Sequence, residues 1–263
     1  MNTIQSIIIA IVEGLTEFLP VSSTGHMIIA EKLLKLPESD FTKLFTVAIQ
    51  LGAILAVVVL YWKKFFDFKN WQFYVKLVVA VIPALLFGFL FSDKIDDMLE
   101  SALTVAVSLV LGGIILLFVD DWFKNPTVTS EKEVGYRQAI IIGVWQCVAM
   151  IPGVSRSAAS IIGGMQQKLT RGAAAEFSFF LAVPTMMAAT VYKLYKHYTE
   201  RGGFSENEIK QLAIGNLVAF IVAMLAIKFF ISFLKKYGFR VWGIYRIVAG
   251  IIMLILIWQG VIH

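Results

Sequence analysis

The sequence predicts an all-α integral membrane protein with six transmembrane helices and two re-entrant helix–break–helix hairpins in an inverted repeat. The first supporting observation is composition. Of the 263 residues, 59% are hydrophobic and only 16% are charged, and the mean hydropathy is +0.80. A soluble domain of this length cannot bury so much apolar surface, whereas a bilayer requires it. The other two observations are the lengths of the apolar stretches and the places where polar residues interrupt them.

Six stretches have the roughly 20 predominantly apolar residues that a helix needs to cross a bilayer. The short polar connections contain Lys63, Lys64 and Lys69, then Asp93, Lys94, Asp96 and Asp97, and then Lys235, Lys236 and Arg240. We therefore predict six spanning helices. They are Thr42–Trp62, Gln72–Phe91, Ser101–Val119, Ala173–Tyr195, Gln211–Leu234 and Val241–Trp258.

Two further regions are apolar but broken, Thr3–Leu34 and Tyr136–Lys168. In the first, Pro20 and a group of hydroxyl residues interrupt the apolar pattern, and in the second Pro152 does the same. Irregular polar backbone at membrane depth is tolerated only where protein or a water-filled cavity surrounds it. Both regions are therefore predicted to be re-entrant hairpins.

The two broken regions align with each other without a gap, so that Glu13–Thr24 lies over Gln146–Ser157. Val21 and Ser22 then match Val154 and Ser155. Three candidate spans follow each break, and an odd number of crossings gives the two halves opposite orientations, as in many transporters. We predict a single membrane domain, 1–263, with inverted-repeat halves of about 1–125 and 133–263.

The distribution of basic residues favours one orientation. The positive-inside rule places the more basic side in the cytoplasm, and both chain termini then face outward. The basic residues on the predicted cytoplasmic side are Lys63–Lys69, Lys124, Lys132, Arg137, Lys168, Arg171 and Lys235–Arg240. The bias is weak, because eight basic residues remain on the other side: Lys32, Lys35, Lys43, Lys94, Lys193, Lys196, Arg201 and Lys210.

The second break resembles an anion site. Pro152 and Gly153 end one helix, so the next would begin near Ser155, Arg156 and Ser157. A helix start offers free N–H groups and a partial positive charge, and an arginine fork suits phosphate oxygens. Arginine is costly inside a bilayer, which favours a functional role. The alternative is an arginine paired with a carboxylate for packing alone.

The first break offers hydroxyls, from Ser22, Ser23 and Thr24, followed by Gly25 and His26. Ser23 is a candidate nucleophile, and His26, one helical turn further on, is a candidate base. A histidine nucleophile or direct attack by water remains open. The structural alternative is that these residues only cap a helix and allow close packing.

Glu13 and Glu17 lie four residues apart and therefore on one helix face. Beside an anionic substrate they would repel it unless a cation intervened, which predicts a divalent ion such as Mg²⁺ or Ca²⁺. One of them could instead orient His26 or pair with Arg156. The second half has Gln146 and Met150 at the corresponding positions.

Other residues are weaker candidates. Glu176 is expected either to assist Arg156 or to cap its helix, and Lys228 and Arg246 are expected to snorkel. His197 and His263 are expected to be solvated, and the pairs Gly112-Gly113 and Gly163-Gly164 to permit close helix contact. No Cys/His metal spacing or nucleic-acid motif occurs in the sequence.

Together the run Glu13–His26, EGLTEFLPVSSTGH, and the run Pro152–Ser157, PGVSRS, closely resemble the bacterial undecaprenyl-diphosphate phosphatase family linked to bacitracin resistance. The resemblance implies hydrolysis of undecaprenyl diphosphate to the monophosphate, which recycles the lipid carrier for peptidoglycan and other envelope polymers. It also implies divalent cations and a site on the outer side of the bacterial plasma membrane. The implied functional residues are Glu13, Glu17, Ser23, His26 and Arg156.

The expected partners are the polyprenyl diphosphate lipid and bilayer lipids, with no nucleic acid, and a homodimer is left open. Two rival functions were weighed. The type-2 phosphatidic-acid phosphatases use a nucleophilic histidine six positions after their arginine, but Ile162 stands there in this chain. A polyprenyl-phosphate flippase is the second rival, because broken helices in an inverted repeat are typical of transporters.

Overall fold

The computed structural model describes residues 1–37, 39–91 and 101–262, and these residues are helical apart from turns, loops and one isolated β-bridge. Six helical segments are long and apolar enough to cross a membrane, which confirms the predicted spans: Asp40–Leu60, Phe68–Leu90, Ala102–Trp122, Arg171–Arg201, Glu206–Tyr237 and Arg240–Trp258. The protein is therefore a multi-pass membrane protein. His263 and the charged connection at residues 93–97 lie outside the described residues.

The helices are numbered here in chain order. The first half contains α1 (Thr3–Thr16), α2 (Ser23–Leu33), α3 (Asp40–Ala48), α4 (Gln50–Leu60), α5 (Trp62–Phe65), α6 (Trp71–Leu90) and α7 (Ala102–Trp122). The second half contains α8 (Tyr136–Cys147), α9 (Arg156–Gln166), α10 (Arg171–Arg201), α11 (Glu206–Tyr237) and α12 (Arg240–Trp258).

The first span is divided at Ile49 into α3 and α4, which the sequence did not predict. The amide of Gly52 donates to Oδ1 of Asn216 on α11, at 2.7 Å, instead of completing the helix ladder. Gly52 also lies against the backbone of Asn216, where a side chain would collide. The division leaves Gln50 at the start of α4, facing the cavity described below.

The two broken regions each contain a pair of short helices. The first break, residues 17–22, separates α1 from α2, and the second break, residues 148–155, separates α8 from α9. The helices of each pair contain 11 to 14 residues, which is too short to cross a bilayer. Each pair packs against itself, so its two helices form a hairpin-like unit.

The same hydrogen bonds recur in both pairs at positions 133 residues apart. The side chain of Gln5 donates to the carbonyl of Leu34, and that of Gln138 donates to the carbonyl of Gln167. Both glutamines also accept from the backbone N–H at the start of their own helix. Lys35 and Lys168, again 133 apart, both have positive φ, 50° and 68°. One backbone arrangement therefore occurs twice in the chain.

Helix contacts between the two halves follow the same pattern. The short helix α1 packs on α11, and the short helix α8 packs on α6. Glycines permit both approaches, because Gly14 meets the backbone of Ala219 and Gly143 meets the backbone of Ala80. The last spans of the halves, α7 and α12, pack against each other.

Glycine pairs mark other close helix contacts. Gly113 lies against the backbone of Gly243 where α7 meets α12. Gly163 and Gly164 lie against Trp145 and Ala174, and a side chain at either position would collide. The close contacts predicted for both pairs are therefore present.

The prediction for His197 was wrong. It was expected to be solvated, but only 8% of its surface is exposed. Its ring stacks on Phe204 with a centroid separation of 5.0 Å. The loop after α10 folds back and covers it, and composition alone does not indicate such a return.

Candidate active site

A cavity of about 230 Å³ lies where the two breaks meet. The first break and the start of α2 contribute Glu17 and Ser22–Thr24 to its lining, and the second break and the start of α9 contribute Ala149, Met150 and Val154–Arg156. These segments are more than 120 positions apart in the chain, so the cavity forms only when both halves are folded. The spanning helices complete the wall with Gln50, Ala84, Thr185 and Met186.

Glu17 links a hydroxyl of the first break to the guanidinium of the second. The Oγ of Ser23 donates to Oε2 of Glu17 at 2.6 Å. The Nε and one terminal nitrogen of Arg156 each lie 3.3 Å from Oε1 of the same carboxylate. All three side chains line the cavity. The hydroxyl of Ser23, the carboxylate of Glu17 and the guanidinium of Arg156 are thus within reach of one small ligand.

The guanidinium of Arg156 is fixed on several sides. Its remaining terminal nitrogen donates to the carbonyl of Ser178 at 3.1 Å. Its plane lies 5.6 Å from the ring centroid of Phe18, within the range of a cation–π contact. The side chain is 13% exposed, and since it lines the cavity, a ligand there can reach it. A rigid fork loses little freedom when it binds a phosphate.

Both breaks end in a capped helix start next to the cavity. Ser22 caps α2 by accepting from the amide of Gly25 at 3.4 Å, and Ser155 caps α9 by accepting from the amide of Ala158 at 3.2 Å. Ser22 has φ of 71°, a conformation that a non-glycine residue rarely adopts. The remaining free amides of two helix starts favour an anion between them.

Ser157 and Gly153, which were predicted to bind substrate, do not line the cavity. Ser157 is fully buried, and its hydroxyl donates to the carbonyl of Leu19 at 2.8 Å. The hydroxyl of Ser155 lies 3.3 Å from the same carbonyl. Gly153 has φ of 87° and lies against Val105 and Ser108 of α7. These two residues join the breaks to each other and to the bundle.

His26 also lies outside the cavity lining. Its Nδ1 is 2.8 Å from the carbonyl of Ser22, and its Nε2 is 2.7 Å from the hydroxyl of Tyr245 on α12. Neither ring nitrogen contacts Ser23 in this arrangement. Gly25, one residue earlier, packs against Val105 and Leu109 of α7. Glu17 is therefore the group placed to accept the Ser23 proton.

Glu13 lies one helical turn before Glu17 and is fully buried. Neither of its carboxylate oxygens has a hydrogen-bond partner among the described residues. An unpaired buried carboxyl group is costly, and a divalent cation held with Glu17 would compensate for it. No group of three or more His, Cys, Asp or Glu side chains in the described part of the chain could hold a metal alone. Further oxygen ligands would have to come from hydroxyl, amide or carbonyl groups, from substrate or from water.

Sequence reasoning missed some residues around the site. Gln50, Gln146 and Thr185 line the cavity, and Gln146 donates to Thr185 at 3.3 Å. Only the alignment of Gln146 with Glu13 pointed to any of these three. Arg246 was expected to snorkel, but it is fully buried and donates to four backbone carbonyls.

Glu176 does not assist Arg156 and does not cap its helix. It binds Nζ of Lys64 at 2.8 Å, and Lys64 also pairs with Glu131 at 2.7 Å. Partial burial opposes protonation of Lys64, but hydrogen bonds to Glu131 and Glu176 raise its pKa above the ordinary value. Thr170 caps α10 instead.

The Glu131 and Glu176 carboxylates border a larger cavity of about 720 Å³ that contains none of the predicted site residues. Arg171 and Asp120 in its wall form an ion pair at 2.7 Å. The three carboxylates in its lining, those of Asp120, Glu131 and Glu176, oppose the binding of an anion. The smaller cavity is therefore the better candidate for a diphosphate site.

The family model described as "Bacitracin resistance protein BacA" matches residues 6–252. The chain belongs to the BacA family. It is 62% identical over 258 residues to an undecaprenyl-diphosphatase of Flavobacterium johnsoniae, covering 97% of this chain and 96% of the relative. The corresponding protein of Aquifex aeolicus is 45% identical over 255 residues, covering 96% and 97%. The match to the BacA family includes both breaks, the first five spans and the last span as far as residue 252.

Proposed function

We infer that the chain hydrolyses undecaprenyl diphosphate to undecaprenyl phosphate and inorganic phosphate, and so recycles the lipid carrier for peptidoglycan and envelope polymer synthesis. The observation that carries this inference is the contact of one carboxylate, Glu17, with both the hydroxyl of Ser23 and the guanidinium of Arg156. Membership of the BacA family and relatives that are named undecaprenyl-diphosphatase support it.

Binding would begin at Arg156 and the two helix starts. The terminal phosphate would bind the guanidinium and the free amides next to Ser22 and Ser155. A phosphate carries more negative charge than a carboxylate, so it would compete with Glu17 for Arg156. Binding of substrate would therefore release Glu17 from its ion pair and make it a better proton acceptor. The prenyl tail would remain among the lipids, because a hydrocarbon chain gains nothing by entering water.

Reaction would proceed by in-line displacement at the terminal phosphorus. The Ser23 proton would move to Oε2 of Glu17 while Oγ forms a bond to phosphorus. The bond from that phosphorus to the bridging oxygen breaks, and undecaprenyl phosphate leaves. Water then hydrolyses the phosphoserine and releases phosphate. Arg156 stabilises the charge that develops on the phosphoryl oxygens.

His26 is assigned a supporting role in this mechanism. Its two ring nitrogens contact Ser22 and Tyr245, so it would orient the start of α2 rather than take the Ser23 proton. A His26 nucleophile or direct attack by water would leave no phosphoserine. Rapid quenching with labelled substrate followed by analysis of the labelled residue distinguishes these routes.

A divalent cation, Mg²⁺ or Ca²⁺, would be held by Glu13 and Glu17. It would supply neutralising charge beside the diphosphate. Glu13→Gln should then raise the cation concentration that gives half-maximal activity. An unchanged cation requirement would remove Glu13 from this role.

The two pairs of short helices are proposed to be re-entrant hairpins of an inverted repeat. The recurring glutamine bonds, the positive φ of Lys35 and Lys168, and the exchanged packing of α1 on α11 and α8 on α6 support this. Lys35 and Lys168 are equivalent, so they should lie on opposite membrane sides. With Cys147 replaced by Ser, Lys35→Cys should react with an impermeant thiol reagent from outside and Lys168→Cys only from inside.

The site is proposed to face the outer side of the bacterial plasma membrane. With the more basic loops in the cytoplasm, α6 runs outward, and the cavity residue Ala84 lies nearer its outer end at Leu90 than its inner end at Trp71. Labelling of the same cysteine pair tests this orientation. Labelling of both cysteines from one side would contradict the repeat, and exchanged sides would contradict the orientation.

The decisive test is phosphate release from farnesyl diphosphate by the purified protein in detergent. A phosphatase needs no second compartment, whereas a flippase releases no phosphate in detergent. We expect turnover in the wild type that a chelator suppresses and added Mg²⁺ or Ca²⁺ restores. No phosphate release with either ion would overturn the proposed function.

A further inference from the structure

Arg246 lies in the middle of the bundle on the spanning helix α12, with 1% of its surface exposed. Its guanidinium donates four hydrogen bonds, and every acceptor is a backbone carbonyl. Two acceptors, Ser108 at 3.1 Å and Leu109 at 3.4 Å, belong to α7. A buried arginine that binds no side chain is holding backbone in place.

The other two acceptors lie in the two breaks. One terminal nitrogen of Arg246 is 3.2 Å from the carbonyl of Pro20, and the other is 3.0 Å from the carbonyl of Gly153. Pro20 and Gly153 are 133 positions apart, the spacing of all the recurring contacts. A break frees carbonyls from the helix ladder, and such groups need another partner at membrane depth. One side chain supplies that partner to both breaks.

The surroundings of Arg246 leave space for its guanidinium and do not neutralise its positive charge. None of the ion pairs found among the described residues includes Arg246. Gly112 on α7 lies directly against the guanidinium, and a methyl group there would overlap it. The neighbouring residue, Tyr245, contacts His26 at the start of α2. Helix α12 therefore contacts the first break and the start of α2 through two consecutive residues.

We propose that Arg246 is a positioning residue that holds the two breaks in register, so that Ser23 and Arg156 act on the same diphosphate. The proposal rests on the proposed function. Arg246 does not line the cavity and is not assigned contact with substrate. Without it, each break would still contain its own functional groups, and their separation would depend on the remaining contacts, among them the Arg156–Glu17 pair, which substrate would displace, and the Ser155 and Ser157 contacts to Leu19.

The first test is Arg246→Gln, assayed with farnesyl diphosphate after the folded fraction has been isolated by size-exclusion chromatography. Misplacement of reacting groups lowers kcat more than it weakens binding, so kcat should fall about tenfold or more. KM should stay within about threefold, because Arg156 and the helix starts are retained. Arg246→Lys, which keeps the charge but cannot reach four carbonyls in one plane, should recover only part of kcat.

The second test leaves the arginine in place. Gly112→Ala introduces the overlapping methyl group, and alanine favours a helix more than glycine does. We expect a similar loss of kcat from displacement of the guanidinium. The matched control is Gly88→Ala on α6, where the new methyl group would meet only Cε of Met150, at 3.8 Å. That control should keep wild-type kcat.

The outcomes separate the two proposals. Folded Arg246→Gln with wild-type kcat overturns the positioning role. If Arg246→Gln yields no folded protein, Gly112→Ala decides: lowered kcat in folded protein supports the role, and kcat equal to that of Gly88→Ala overturns it. A wild type that releases no phosphate overturns the proposed function, and the positioning proposal with it.

Discussion

The first and second breaks share their flanking contacts, but they differ in chemistry and in backbone conformation, since Ser22 has φ of 71° and the corresponding Ser155 has φ of −70°. Each break follows a helix whose glutamine side chain donates to a carbonyl at the end of the paired helix. Each break also leads into a serine-capped helix and offers a carbonyl to Arg246. Apart from Ser22 and Ser155, the cavity side chains at corresponding positions differ. In the alignment of the two breaks, Glu17 corresponds to Met150, and Ser23 corresponds to Arg156.

This difference shows how recurring contacts can support an asymmetric site. Main-chain contacts fix the shape of each break, so the side chains that point into the cavity are free to differ. Acid and hydroxyl from one break then meet a guanidinium from the other, which neither break contains alone. Substitutions that act on one break only can test that division of roles.

The largest effect is expected from Ser23→Ala in the first break. Removal of the nucleophile should lower kcat by about a thousandfold or more, since water must then attack without it. Phosphate release from farnesyl diphosphate measures this. Ser232→Ala, which removes an exposed hydroxyl on α11 bonded only to the Lys228 carbonyl, should be neutral. Near-wild-type turnover in Ser23→Ala would remove it as nucleophile.

The next effect is expected from Arg156→Lys in the second break. Lysine keeps the charge but loses the fork that binds two phosphate oxygens at once, so kcat/KM should fall about a hundredfold. Arg171→Lys is the control, because Arg171 pairs with Asp120 away from the cavity. Equal activity of the two variants would show that Arg156 acts only as a point charge.

A smaller effect should follow from making the second break more like the first. Gln146→Glu places a carboxylate at the position that corresponds to Glu13, on the cavity wall. We expect KM to rise about tenfold, because this carboxylate repels the diphosphate. Gln72→Glu, on the exposed start of α6, is the charge-matched control. A lowered KM in Gln146→Glu would instead indicate a second cation site.

The sequence was sufficient to predict the six spans and the two interrupted regions, because bilayer thickness fixes the length of an apolar run. The alignment of the two broken regions also places Ser23 at the position that corresponds to Arg156. The sequence could not show that Glu17 contacts both Ser23 and Arg156, because Glu17 was equally able to orient His26.

Arg246 shows what sequence reasoning could not reach. An arginine in an apolar helix usually snorkels, and nothing near it in the chain indicates otherwise. Its four acceptors come from α7 and from both breaks, at positions 93 to 226 residues away. Glu176 was misassigned for a similar reason, because its partner Lys64 lies 112 positions earlier.

The smallest effects should come from the contacts that the two breaks share. Gln5→Ala and Gln138→Ala each remove a side-chain bond between paired helices, at 3.2 and 2.9 Å, and a helix-start bond at 2.8 Å. Each should lower the free energy of unfolding by about 1 to 2 kcal/mol, with kcat unchanged in the folded protein. Thermal unfolding in detergent measures this, with Gln72→Ala as control.

Gln138→Ala should lower the free energy of unfolding more than Gln5→Ala does, although the two positions are equivalent. The start of α1 is also held to α11 by Gln211, whose side chain donates to the Met1 carbonyl at 2.7 Å, whereas Gln138 makes the shorter bond between paired helices, 2.9 Å against 3.2 Å. Its loss loosens α8 against α9 and therefore the segment that carries Arg156. A larger loss of unfolding free energy in Gln5→Ala would show that the two glutamines do not stabilise equivalent units. The correspondence between the breaks would then be limited to their capped helix starts.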